Sequence, residues 1–295
     1  MIGSFANASR TLRVLSIAVL ILVGAGSFGA VDGARTAAAK DAPPPVLGTV
    51  YVFRPMGGRL ATPEMENLAR KIQARGLEAD VFHYANWIKP AKAAVARYQA
   101  EQWKSAIILV GHSAGGDSAI RFARWLKRAG VPVNLIITLD PTGIAGAVPG
   151  KVERYLNVFS SGRALGSGDP QPAKDFAGHF ASVDLHEYAI LHRHFPGITG
   201  LQEAVVDKVA ATAEQPLAVD GASVRIGYPV PRGSPIVLWD SGVPVAAEAG
   251  DTAASIAARY GVPAWAIAAI NDVEPGRSFS SGQRVVVPRH LAVER

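Results

Sequence analysis

The stretch Ile107-Ile-Leu-Val-Gly-His-Ser-Ala-Gly-Gly116, IILVGHSAGG, decides how the rest of the chain is read. Its aliphatic half suits a strand buried on both faces, and the residues from Ala114 to Ala129 carry a helical pattern that stops at Gly130. Ser113 therefore stands at a strand-to-helix turn with a glycine two positions to either side, satisfying G-x-S-x-G. Such a turn holds the serine backbone in an unfavourable conformation with neighbours pressed close, and only glycines leave room for it. The Ala114 N–H would lie at a helix N-terminus, where a developing oxyanion is favoured by a free donor and the helix dipole. Gly116 would let the helix approach the sheet. Ser113 is a candidate nucleophile; the alternative is a small polar residue that ends a strand and caps a helix. Adjacent residues on a sharp turn point apart, so His112 is expected to pack or hydrogen-bond near the elbow and not to act as its base.

Working outward, aliphatic runs alternate with amphipathic patterns from Gly48 on. GTVYVFRP, ADVFHY, SAIILV and VNLIITL are expected strands. Between them lie a helix capped by Thr62 with Pro63 in its first turn, a helix from Pro90 to Gln102, and the Ala114 to Ala129 helix. RYLNVFS and ASVDL add strands and Thr199 to Ala213 a helix. The order predicts an α/β fold, a mostly parallel sheet with helices on both faces. After Ala213 the Pro- and Gly-rich segment to Gly242 is expected to be an extended connector with short strands at most. No tandem repeat occurs.

Composition narrows the chemistry. The 295 residues are 49% hydrophobic, enough for a substantial core, and contain no Cys, which removes disulfides, thiolate metal sites and Cys nucleophiles. With no H-E-x-x-H pattern either, neither a metal nor a cofactor is expected. The net charge is +6, but the basic residues are scattered on expected helix faces, which predicts a solvated surface and no nucleic-acid interface. Arg10 and Arg13 precede the uncharged run Val14 to Val31, followed by small residues around Ala25 to Ser27 and Ala37 to Ala39. Residues 1–39 are thus expected to be an export signal, or alternatively an uncleaved anchor giving membrane association, with the rest outside the cytoplasm, in the periplasm, at the envelope or secreted. Residues 40–46 form a Pro-rich spacer.

IILVGHSAGG resembles the nucleophile elbow of α/β-hydrolases, especially lipases and esterases, whose chain order is Ser, acid, His. That resemblance implies a domain over 47–213 and an acid at a strand end. Asp140 in LIITLDPTG is the first choice, with Asp169 and Asp175 as fallbacks and Asp184 behind them. It places the base after the last strand, in VDLHEYAILHRHFPGI, at His192 with His194 as the alternative; His186 is too close to the strand. The implied activity is hydrolysis of an acyl ester, with acyl transfer open to the same residues. Oxyanion donors would be the Ala114 N–H and one from FRPMGGRL, at Met56 or Gly57, since Pro55 has no N–H. This loop is not the H-G-G-G type of many esterases.

The segment from Val243 to Pro288 reads strand, Gly-Asp-Thr, helix, Gly-Val-Pro, helix, strand, and is similar to a LysM domain through Gly250-Asp251-Thr252, Ile256-Ala257, Tyr260-Gly261-Val262 and Gly282-Gln283-Arg284-Val285. Asp251 and Thr252 are expected to cap the first helix, and Ile256, Ile267 and Ile270 to pack on the two strands. The resemblance implies binding of an N-acetylglucosamine polymer such as peptidoglycan, with Gly250, Asp251, Thr252, Val273, Glu274 and Pro275 lining the groove. Ala253 stands where a larger aliphatic is usual. The expected layout is then 47–213 hydrolase-like domain, 214–242 linker and 243–290 LysM domain. The reading is an exported serine hydrolase held at the cell wall; the alternative is a wall-binding protein whose hydrolase fold no longer works.

Overall fold

The computed structural model describes residues 48–57, 63–102, 104–214 and 223–291. The export signal, the Pro-rich spacer, the Thr62 cap and residues 215–222 of the expected linker lie outside the described residues.

Seven parallel strands form one sheet in the order β2-β1-β3-β4-β5-β6-β7. They are β1 (Thr49–Arg54), β2 (Glu78–His83), β3 (Ile107–His112), β4 (Leu135–Leu139), β5 (Arg154–Phe159), β6 (His179–Asp184) and β7 (Ile226–Pro229). Side chains alternate across a strand, so the central strands feed two cores. Val50, Val52, Ile108 and Val110 meet Leu68 and Ile72 of helix α1 (Pro63–Gln73) and Val205 and Val209 of α4 (Thr199–Glu214) on one face. Tyr51, Phe53, Ile107 and Leu109 meet Ala91 and Ala94 of α2 (Ile88–Ala100) and Ile120, Phe122 and Leu126 of α3 (Ala114–Arg128) on the other. Burial on both faces is why β3 and β4 are mainly aliphatic and β1 alternates valine with aromatic residues. This is an α/β arrangement, a parallel sheet covered by helices on both faces, and its parallel strands bring every strand-to-helix loop to one end of the sheet.

The expected connector is more ordered than its composition implies. Ile226 to Pro229 pairs in parallel with β6 as the seventh strand, Ile226 and Tyr228 facing the core. Four residues containing a glycine and ending in proline carry too little alternation to announce a strand.

The C-terminal unit is a βααβ module: β8 (Ser241–Ala246) antiparallel to β9 (Arg284–Arg289), with α5 (Ala253–Tyr260) and α6 (Ala264–Ile270) between them. Thr252 caps α5 in a reciprocal box with Ser255, and Gly261 ends it at φ 65°. Ile256 and Ile267 join Val285 and Val287 in the module's own core. Ile270 does not: it packs with Ala266, four residues earlier on α6, against the cluster containing Tyr228 and Trp239. Trp239 packs between Tyr228, which it meets edge to face, and Trp265, to which it is tilted, at centroid separations of 5.0 and 5.8 Å. The module is therefore docked on the hydrolase-like unit along its β7 edge.

Its direction is set by pairing. Gly242 bridges Val224 in antiparallel sense, and the Ser241 hydroxyl lies 3.1 Å from Nδ1 of His179 at the start of β6. β8 thus runs away from the end of the sheet where Ser113 sits, and residues 247–252 emerge at the opposite end.

Candidate active site

The elbow is strained as its glycines anticipate. Ser113 has φ 55° and ψ −127°, a combination that an L-residue holds only under the constraint of its surroundings. A Cβ on Gly111 would lie 2.3 Å from the Gly115 carbonyl oxygen, and one on Gly115 2.2 Å from that of Phe53, so neither position accepts a side chain. The Ser113 N–H donates to the Leu139 carbonyl at 3.0 Å, tying the turn to the end of β4.

Asp140 follows directly on β4, fully buried and at φ 46°. Its Oδ1 accepts from the backbone N–H of Ser167 at 2.9 Å and of Ser160 at 3.3 Å. Its Oδ2 lies 2.6 Å from Nδ1 of His192, whose Nε2 is 2.9 Å from the Ser113 hydroxyl oxygen. A carboxylate accepts only, so Nδ1 carries the proton and Nε2 is left free to accept from Ser113. His192 opens a short 3-10 segment, His192–Gly197, after β6.

The other candidates have different surroundings. Asp169 accepts from Asn157 and Ser182, Asp175 pairs with Lys127, and Asp184 accepts from the N–H groups of Ser161 and His186. His194 is exposed, its Nε2 accepting from Arg193, and His186 pairs with Asp184. Ala114 is the first residue of α3, where helix N–H groups have no intrahelical partner. Met56 and Gly57 stand exposed in the turn after β1; residues 58–62 of that loop lie outside the described residues.

Three residues that sequence reasoning missed, or placed only loosely, hold this arrangement. Gly166, at φ 76°, lies so close that a Cβ on it would be 2.4 Å from Oδ2 of Asp140 and 2.5 Å from Nδ1 of His192. The loop after β5 thus covers the acid–base hydrogen bond. Asp117, buried in the first turn of α3, accepts from the N–H and hydroxyl of Thr142 and from the Ala145 N–H, fixing the loop after Asp140. His112 is buried, and its Nε2–H donates at 3.0 Å to the backbone carbonyl of His192. Burial pushes its pKa down to about 4, so the ring is neutral and keeps that donor. A glycine in the loop after β5 and an acid in the first turn of α3 were the available signals; what they touch was not.

In the module, Gly250 is exposed at φ 85°, and Thr252 forms a bridge with Ser278 that brings its loop beside the one from Val273. Glu274 and Pro275 are exposed and Val273 packs partly into the module core. The Asp251 carboxylate is occupied within its own loop by the Glu248 N–H, the Ser255 hydroxyl and Arg259, which hold it below the usual carboxylate range. Among the described residues, no group of three His, Asp or Glu side chains is placed to hold a metal ion. No single described helix is long and apolar enough to cross a membrane.

Residues 248–288 match the family model of the LysM domain. No curated protein matches the chain. Among solved structures, one from Xanthomonas campestris pv. campestris, described as a candidate hydrolase of the alpha/beta superfamily, is similar at 15% identity and a TM-score of 0.33, over 55% of this chain and 96% of that one.

Proposed function

We propose that the protein is a serine hydrolase of acyl esters, acting through Ser113, His192 and Asp140, and that its LysM domain engages an N-acetylglucosamine polymer such as peptidoglycan at the cell envelope. The observation that carries the reading is the continuous hydrogen-bonded line from the Ser113 hydroxyl through both ring nitrogens of His192 to the buried Asp140 carboxylate. His192 Nε2 takes the proton as the Ser113 oxygen attacks the ester carbonyl. Asp140 stabilises the imidazolium and stays ionised. The oxyanion forms against the Ala114 N–H, with a second donor from Met56 or Gly57. Collapse releases the alcohol, which takes the proton from His192, and the acyl group remains on Ser113. Water, deprotonated by His192, then frees the acid and restores the serine.

The glycan reading rests on the LysM match, with Gly250, Asp251, Thr252, Val273, Glu274 and Pro275 as the proposed groove; Asp251 serves it by holding the loop in shape. Export follows from the basic residues and apolar run of the first 39 residues.

A fluorophosphonate probe together with p-nitrophenyl esters tests the catalytic reading. Wild type should be labelled and should turn over ester, and Ser113→Ala should lose labelling and on the order of 10⁶-fold in kcat. An unlabelled wild type that gives no turnover would overturn it.

A further inference from the structure

Next to the loop after β5, the sheet turns from apolar to polar in one step. Ile136, Tyr155 and Phe180 pair in register across β4, β5 and β6 and lie buried in one apolar cluster. Thr138, Asn157 and Ser182 pair in the same way two residues further along, so they share that face, and they too are buried. Polar groups are tolerated in such a row only when each is hydrogen-bonded. Nδ2 of Asn157 donates to the Gly168 carbonyl at 2.9 Å and to Oδ1 of Asp169 at 3.0 Å, and both partners only accept. Oδ1 of Asn157 accepts from the Thr138 hydroxyl at 2.8 Å. That hydroxyl has no second proton, so Tyr155 donates to it, also at 2.8 Å. The Ser182 hydroxyl donates to the same Asp169 oxygen at 2.6 Å. Every donor in the row thus leads to the loop.

The residues held there directly follow the two that meet the acid–base pair. Gly166 and Ser167 are consecutive at φ 76° and 58°; the first lies against the Asp140–His192 hydrogen bond, and the N–H of the second donates to Oδ1 of Asp140 at 2.9 Å. A serine stays in left-handed backbone only where its surroundings hold it. On one side the Ser167 hydroxyl donates to the Ser160 carbonyl at 2.6 Å. On the other, Gly168 is fixed twice, its N–H donating to the Pro141 carbonyl at 2.9 Å and its own carbonyl accepting from Asn157. We propose that Asn157 and Asp169 are positioning residues for the hydrolytic site: the polar row of the sheet clamps the strained turn that sets Gly166 and Ser167 on Asp140, and so fixes that carboxylate against His192. The inference rests on the hydrolase reading. It also gives Asp169, a fallback acid by sequence, a role as an anchor.

Variants of the full chain test this by two readouts. One is kcat and KM for a p-nitrophenyl ester; the other is the far-downfield proton resonance of the Nδ1–H that His192 donates to Asp140, which needs no turnover. Asn157→Leu and Asp169→Leu should lower kcat by about 100-fold with KM within about twofold, and should broaden the resonance or move it upfield. Asp169→Asn keeps an oxygen for Asn157 and Ser182, so kcat should stay within about threefold of wild type and the resonance should remain. Thr212→Val breaks a buried hydrogen bond with Arg154 and should lower the Tm while leaving both readouts alone. Asp169 is exposed, so should Asn157→Leu fail to fold, Asp169→Leu decides. A wild-type kcat and resonance in Asp169→Leu overturns the proposal. Equal losses in Asp169→Asn overturn it in favour of the charge, and equal losses in Thr212→Val in favour of stability alone. A wild type that shows the resonance but turns over no ester sinks the hydrolase reading alone, and the resonance of the variants still decides the clamp. No resonance in wild type overturns both, because the pair to be positioned is then not formed.

Discussion

At the scale of single residues, Gly166 gives the sharpest test of how the site is held. An alanine there would set its Cβ against both partners of the Asp140–His192 hydrogen bond, at a φ of 76° that already disfavours a side chain. The pair must separate, and misplacement by an ångström or so lowers kcat by about 100-fold. Gly162 has a similar φ of 77° with nothing within 4 Å, so Gly162→Ala should share the backbone strain and keep its kcat; equal losses in the two variants would show that strain alone matters. His112 makes a different prediction, about pH. Its folded pKa of about 4 lies below the ordinary 6.5, so between those values the unfolded chain takes up a proton that the folded chain refuses. The stability it contributes is whole above pH 6.5 and falls as the pH drops toward 4. His112→Gln keeps a donor for the His192 carbonyl but cannot titrate. From pH 7 to 4.5, urea unfolding should show wild type losing roughly 2 to 3 kcal/mol more than the variant; parallel losses would contradict the buried neutral ring.

Among the elements, the loop after β4 depends on an acid in a helix that follows a different strand. The Asp117 carboxylate accepts three hydrogen bonds from Thr142 and Ala145. Asp117→Asn turns an amide NH₂ toward donors, leaving buried groups unmatched at about 1 to 3 kcal/mol. Urea unfolding should register that loss, and kcat should fall with it as the Asp140 loop loosens; an unchanged midpoint would remove Asp117 from the account. The contrast with what the sequence disclosed is physical. Strands buried on both faces are written as aliphatic runs, so β1, β3 and β4 were legible, and Asp140 was legible because it ends one of them. The edge strand β7 was not, since four residues with a single parallel neighbour need no apolar run. Gly166 and Asp117 act through partners 26 and 25 residues away that only folding brings near. Ile270 has the spacing for either side of α6, and the docked edge of the sheet decides which side it takes.

For the whole molecule, the docking of the LysM module changes what it is. A tether would leave the hydrolase-like unit complete without it, yet Trp239, Ala266 and Val286 belong to the same buried cluster as Leu201 and Tyr228. Gly242 covers the lead-in to β7, and the buried Lys208 of α4 pairs at 2.7 Å with Asp240, which also accepts the Leu291 N–H. Burial draws the lysine's pKa down while Asp240 opposes that shift, so the pair is held by the packing around it. Ending the chain after Asp240 would strip cover from Tyr228 and Trp239, at about 1.5 to 3 kcal/mol for each large side chain returned to water. At roughly 2 to 4 °C per kcal/mol for a domain of this size, the hydrolase-like unit should melt about 10 °C lower or aggregate. Scanning calorimetry of the two chains decides this, and an unchanged Tm would restore the tether. The consequence for glycan binding is direct: a truncated chain that fails to sediment with peptidoglycan has lost part of its fold as well as its groove. The groove must be tested in the intact chain, at the exposed Glu274 and Pro275, whose replacement leaves the docked faces of α6 and β9 untouched. Retention lost there with the Tm unchanged would assign binding to the LysM loops, and retention kept would place it elsewhere.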